Sequence, residues 1–215
     1  MRCTIVYDNE KGGRLENGWG FSVYIEAHGR KILFDTGDNG PALMANLKKL
    51  SINPRELDII FISHGHGDHA GGLGALLQET SSPKLYIPAS ASSLASLAAG
   101  KAEAISVTGP IKISEGIWST GELAGIEQSL VVSTEKGNLI ICGCGHPGLD
   151  NIIEKAKQFG EVYGAIGGFH GFSNLEALAG LHLISPCHCT VQKREILEKF
   201  PGTAKACMAG GVFEI

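Results

Sequence analysis

Residues 61–72 read "FISHGHGDHAGG", placing His64, His66, Asp68 and His69 within six positions and separating them almost only by glycine. The stretch leaves "DIIFIS" (58–63), a run apolar enough to form a buried strand. In the extended chain leaving that strand, His64 and His66 are two residues apart, so their side chains point the same way and can grip one ion. Asp68 and His69 fall where the chain turns into the next helix. That displaces them from the first pair and suits a second ion nearby. An exposed, idle loop is a fair account of a lone histidine, but it does not account for four ligand-type residues in this register.

Working outward, glycine supplies 30 of the 215 residues, and much of it flanks histidine again in "GCGHPG" (143–148) and "GGFHGF" (167–172). Glycine allows tight turns and close approach of the backbone to a ligand, so histidine-bearing loops are the theme of the chain. The composition is that of a globular protein, with 43% hydrophobic and 19% charged residues and no low-complexity run. The length fits one domain spanning 1–215. A net charge of -4 gives no electrostatic case for nucleic acid or an anionic membrane as partner. No apolar run is long enough to cross a bilayer and "MRCTIVYDNE" has no signal-peptide character, so the expected location is cytoplasmic. In a reducing compartment Cys3, Cys142, Cys144, Cys187, Cys189 and Cys207 are expected to be thiols, most of them acting as small buried hydrophobes. The sequence does not indicate an oligomeric state.

The pattern predicts strands at "CTIVYD", "FSVYIEA", "KILFDT" and "DIIFIS", with a helix at "PALMANLKKL" between the last two. It then predicts a helix at "AGGLGALLQ", a strand at "KLYIPA" and a serine-capped helix at "SASSLASLAAG". From about Ala104 to Ile141, "AISVT", "IKI", "SLVVST" and "NLIIC" suggest a meander. Strands and helices then alternate through "GLDNIIEKAKQFG", "EVYGAIG", "SNLEALAGL" (capped by Ser173 or Asn174), "HLISPC" and "VQKREILEKF", the last stopped by Pro201. Each half is loosely a β-rich stretch followed by β/α units, and each histidine loop lies at or near a strand end, where α/β folds gather their sites.

"SHGHGDHAGG" resembles the HxHxDH motif of the metallo-β-lactamase superfamily, and "KILFDTG" resembles that family's strand ending in Asp-Thr-Gly. "GCGHPG", "GGFHG", "ISPCHCT" and "GGVFEI" further resemble its dihydropterin-ribofuranosylaminobenzene phosphate synthase-like branch. The resemblance implies an α/β fold, a four-layer αββα sandwich, with a metal site along one edge between the sheets. It implies His64 and His66 on a first metal with His146, which follows a strand and opens a helix. It implies Asp68 and His69 on a second metal with His188. The expected cofactor is two divalent ions, zinc first, with iron or manganese as alternatives. The chain departs from the family in having no "GD" turn after Asp68 to supply the bridging aspartate. Cys144, Asp150 and His170 are the open candidates for that place. His170 is expected to face the same pocket as a ligand or as a hydrogen-bond donor to substrate. Asp35 is expected to orient a metal-binding imidazole. His28 reads as a solvated turn residue and His182 as structural.

Paired divalent ions make hydroxide available at neutral pH and polarise the attacked oxygen, with Asp68 placed to accept a proton. No GxSxG elbow or P-loop competes with that chemistry. The expected function is therefore a metal-dependent hydrolase acting on a small-molecule ester, phosphate-containing or lactone. An iron-containing redox enzyme and a non-catalytic, metal-stabilised binding protein are the alternatives. Residues 9–19 are read as a flap over the metals, and Trp19 and Phe172 as aromatic walls or core.

Overall fold

A computed structural model describes all of residues 1–215. Two mixed sheets face each other. The first runs β13-β1-β2-β3-β4-β5-β6, with β1 Arg2–Tyr7, β2 Ser22–Ala27, β3 Arg30–Phe34, β4 Ile59–Phe61, β5 Lys84–Pro88, β6 Glu103–Val107 and β13 Val212–Glu214. The second runs β12-β11-β10-β9-β8-β7, with β7 Ile111–Ser114, β8 Ile117–Ser119, β9 Leu130–Thr134, β10 Gly137–Cys142, β11 Val162–Gly168 and β12 Leu183–Cys187. In each sheet antiparallel strands come first (β1–β3 and β7–β10) and parallel strands come after (β3–β6 and β10–β12). This is the physical form of the echo between the two halves of the sequence.

Strand periodicity sorts the side chains into three apolar layers. Cys3 and Ile5, Val23 and Ile25, Ile32 and Phe34, Ile59 and Phe61 meet Leu139, Ile141, Ile166 and Leu183 between the sheets. Their neighbours Val6, Tyr24, Leu33, Ile60 and Leu85 face outward under Leu43 and Leu47 of helix α1 (Gly40–Lys49) and Leu73 and Leu76 of α3 (Leu73–Leu76). On the far side Ile140, Ala165 and Ile184 lie under Leu149, Ile152 and Ile153 of α4 (Leu149–Ala156) and Ile196 of α5 (Lys193–Lys199). The result is the expected αββα sandwich. Because the central strands are buried on both faces, they read in sequence as continuous apolar runs such as "DIIFI".

Helix α1 begins where the sequence signals it. The Asn39 side chain accepts the Ala42 N–H at 3.0 Å, Pro41 occupies the first turn, and Lys48 and Lys49 face the negative end of the dipole. Several expectations need correction. "AGGLGALLQ" gives only α3, one turn long, preceded by α2 (Gly67–Ala70), because at the junction the Gly72 N–H donates to the Gly37 carbonyl and the Asp68 carbonyl accepts the Phe21 N–H instead of continuing the helix. "SASSLASLAAG" is a 3₁₀ segment without a serine cap, and "SNLEALAGL" is a short 3₁₀ turn at Leu175–Leu178 with no side-chain cap. β6 leaves the predicted meander and pairs in parallel with β5 in the first sheet. β8 and β13, three residues each, were too short to show a period. The expectation of six thiols fails too. Cys187 ends β12, and Cys207 precedes β13 at a Cα–Cα distance of 5.1 Å; the two form a disulfide tying the edge of one sheet to the edge of the other.

Candidate metal centre

Parallel strands end together, and the site is built from the residues just beyond their ends. After β3 comes Asp35, after β4 Ser63 and His64, after β10 Cys144 and His146, after β11 His170, and after β12 His188 and Cys189. The Asp-Thr-Gly turn anchors the histidine loop directly. Thr36 donates its N–H and its hydroxyl to the His69 carbonyl at 2.7 and 2.9 Å. Asp35, buried and left-handed at φ 52, accepts from the Ser63 N–H, the Ser63 hydroxyl and His69 Nδ1, all at 2.7 Å. Gly143 packs against the Ser63 hydroxyl and Asp35, where any Cβ would collide with the hydroxyl.

The six residues singled out in the sequence come together. The His64 ring lies 4.2 Å from that of His69 and 4.7 Å from that of His146, and the His69 ring lies 5.0 Å from that of His188. His64 Nε2 is 3.1 Å from His66 Nδ1, and Asp68 Oδ2 is 3.1 Å from His188 Nε2 and 3.6 Å from His69 Nε2. Candidate ligand atoms fall into sets lying within 4.8 Å of one another: His64, His66 and Asp68; His64, Cys144 and His146; and Asp68, His69, Cys144 and His188. Cys144, whose sulfur is 3.1 Å from His69 Nε2, belongs to the last two of these sets. Of the candidates for the missing bridging aspartate, it alone stands between them. Asp150 lies in the first turn of α4, where its carboxylate accepts the Asn151 N–H at 3.0 Å, and it belongs to none of these sets. His170 is exposed at the rim, its ring 5.1 Å from that of His146.

Each inner imidazole is held from behind. His69 Nδ1 faces Asp35, His146 Nδ1 faces Glu127 at 2.9 Å, His188 Nδ1 faces the Asn9 side-chain oxygen at 2.8 Å, and His64 Nδ1 faces the Ser63 hydroxyl at 2.9 Å. Engaging Nδ1 with an outer acceptor fixes the tautomer and turns the Nε2 lone pair inward. The residues present therefore fit a pair of divalent cations. Electrostatics agrees for His64 and His188. Burial, reinforced by neighbouring histidines, pushes His64 down to about 2 and His188 down to about 4, so both are neutral donors at neutral pH. His69 is buried too, which alone would lower it, but the carboxylates of Asp35, Asp68 and Glu127, Asp35 foremost, together raise it. The Glu127 hydrogen bond raises His146.

Glu127 and Asn9 were missed in the sequence. Glu127, in the loop between β8 and β9, is fully buried and fills a nest of backbone donors: the N–H groups of Gly143, Cys144, Gly145 and His146, each at 3.0 Å. Burial would raise its carboxyl, yet the His146 bond, His64 and those N–H groups hold it at about 2. No motif announces a single glutamate in "LAGIEQSL", and only its context in space reveals it. Asn9 lies in the proposed flap, which also brings Trp19, 60% exposed, to 5.1 Å from the His188 ring. Phe172 instead packs on the outer core. His28 is exposed as expected but also bonds the Ser133 carbonyl at 2.8 Å, and His182 stacks on Tyr163.

The metallo-beta-lactamase superfamily profile matches residues 18–145, the span that holds the Asp-Thr-Gly turn, the histidine loop and Cys144. The chain belongs to the metallo-beta-lactamase superfamily. Over 93% of its length it is 28% identical to the 7,8-dihydropterin-6-methyl-4-(beta-D-ribofuranosyl)-aminobenzene-5'-phosphate synthase of Methanocaldococcus jannaschii, covering 90% of that protein. It is 36% identical over 75 residues to the ribonuclease Z of Nanoarchaeum equitans, a match to 34% of this chain and 23% of that one. A solved structure described as a metal-dependent hydrolase of the beta-lactamase superfamily superposes with a TM-score of 0.84 at 27% identity, over 100% of this chain and 99% of the other. Superfamily members bind divalent metals, and no helix of this chain is long and apolar enough to cross a membrane.

Proposed function

We propose that this superfamily member is a metal-dependent hydrolase of a small-molecule ester, with phosphate esters first and lactones second. Its centre is formed by His64, His66 and His146 on one side and Asp68, His69 and His188 on the other, with the Cys144 sulfur shared between them. The observation that carries the reading is the common orientation of four of the five imidazoles, His64, His69, His146 and His188, each backed by an acceptor and each offering a lone pair to one small volume. Bound divalent ions would supply Lewis acidity and lower the pKa of a water at the centre.

The chain's own residues do the rest. Asp68 keeps a lowered pKa despite partial burial, because His69 and His188 favour its carboxylate, so it is available to orient a nucleophile and take its proton. His170, exposed at the rim, is placed to donate to the substrate, and Trp19 offers an apolar wall beside His188. Similarity to a synthase named for a product that carries a 5'-phosphate supports a phosphorylated substrate over a lactone. One observation favours a second reading. A thiolate among imidazoles and a carboxylate also suits iron, which would give redox chemistry instead.

The test is metal quantitation with an absorption spectrum on protein purified without added metal, coupled to turnover of chromogenic phosphodiesters, phosphomonoesters and lactones. His66→Ala is expected to lose metal and turnover together. Full metal and full turnover in that variant would sink the assignment. Wild-type protein that holds metal but turns over nothing would favour a binding role.

A further inference from the structure

Cys189 is not one of the sulfurs that serve only as small buried hydrophobes. It sits on the turn after β12, half-buried, and its sulfur, the Cys144 sulfur and a His170 ring nitrogen all lie within 4.8 Å of one another. We propose that Cys144, Cys189 and His170 form a third cation position, for a thiophilic divalent ion such as Zn²⁺ or Cd²⁺, sharing the Cys144 sulfur with the histidine centre. The proposal rests on the reading above only for that sharing; the three donors converge whatever the centre does.

Three features of the fold build the position. The loops after β11 and β12 are fastened to each other: Val191 N–H donates to the His170 carbonyl at 2.9 Å, and Phe169 N–H donates to the Thr190 hydroxyl at 2.9 Å. Gly168 leaves the space that Cys189 fills, since a Cβ there would stand 2.7 Å from the Cys189 sulfur and collide with the Gly143 carbonyl. His170 is held left-handed at φ 45, a conformation costly for a residue with a Cβ and concentrated at functional sites. Two sulfurs and one imidazole are the donor set of zinc and cadmium rather than of oxygen-seeking magnesium or calcium. With His170 exposed, a fourth coordination place faces solvent. The Asp8, Cys187 and Cys207 group offers no such position, because its sulfurs are bonded to each other.

The experiment titrates the metal-free full chain with Cd²⁺, reading stoichiometry by equilibrium dialysis and thiolate coordination by the ultraviolet sulfur-to-cadmium charge-transfer band. Cys189→Ser and, independently, His170→Ala are each expected to bind about one ion per chain fewer than wild type. The band should fall by about half in Cys189→Ser, since one of two thiolates remains. A double variant, His66→Ala with His188→Ala, separates this proposal from the histidine centre. If the Cys189-dependent ion persists there, the third position stands even where the hydrolase reading fails. Equal stoichiometry and equal absorbance in wild type and both single variants overturn it, while the histidine centre keeps its own ions.

Discussion

Replacing Glu127 by Gln removes a charge and turns the oxygen that accepts two hydrogen bonds into a donor, at the best-connected buried carboxylate in the site. The Gln carbonyl oxygen can take over the N–H groups of Gly143, Cys144 and Gly145. Its amide nitrogen then faces the His146 N–H and His146 Nδ1, both of which now donate to Oε2. Two charge-assisted bonds are lost, nominally ~1.5–3 kcal/mol each, with some relief because the His146 ring is reached by water. An independent route gives a similar size. A carboxyl held at about 2 against an ordinary 4.5 contributes ~3 kcal/mol at neutral pH. The expected loss for metal-free Glu127→Gln is therefore ~3 kcal/mol, read by urea unfolding at pH 7. Metal affinity should weaken ~10–100-fold as His146 loses its backing. The sign of the pH dependence is fixed. Because the folded-state pKa is depressed, the contribution is complete above 4.5 and is lost as pH falls through about 2, so wild type and variant converge in acid. A variant within ~0.5 kcal/mol of wild type with unchanged metal affinity would refute the anchoring role.

Metal-free protein should lose stability as pH falls below 6.5, by at most ~3 kcal/mol per pH unit down to about 4, because His64 and His188 resist protonation when folded but accept it when unfolded, while Asp8 and Asp35, raised by burial, offset part of the loss; urea midpoints across pH 4–8 check this, and a flat profile contradicts it. Asp35→Asn presents a donor where Ser63 and His69 need acceptors, so metal affinity should fall ~10–100-fold by competition with a chelator while the strands around it persist. Trp19→Ala should raise KM with little change in kcat or metal content, the signature of a wall that binds ground and transition states alike.

The fold was legible because its central strands are buried on both faces: "KILF" and "DIIFIS" carry apolar residues at odd and even positions, which a one-sided sheet does not need. The first-half ligands were legible for a related reason. His64, His66, Asp68 and His69 share one loop, so their chemistry is written as spacing. His146, His170 and His188 carry no spacing among themselves, and the resemblance to a family placed them where three parallel strands end side by side. What stayed hidden was whatever acts through the backbone or at a distance: Glu127 filling a nest, Asn9 behind His188, Cys189 across from Cys144.

That division has a physical reason. A ligand must be of a rare residue type, so it stands out in a sequence, whereas an acceptor for an imidazole N–H can be any carboxylate, amide or hydroxyl, and four different ones serve here: Asp35, Glu127, Asn9 and Ser63. The same logic bears on the absent bridging aspartate. A carboxylate in that place would offer two oxygens to two ions, while Cys144 offers one sulfur that must reach both, which requires the two sets of donors to close around a single atom. The structure has that closure, with the Cys144 sulfur within 4.8 Å of ligand atoms on His64, Asp68, His69, His146 and His188. On the proposed reading, in which Cys144 takes the bridging place, the sulfur and the tight convergence of the histidines belong together, and Cys144→Asp, whose carboxylate would need more room in the same buried place, is expected to restore the family's residue without restoring its geometry.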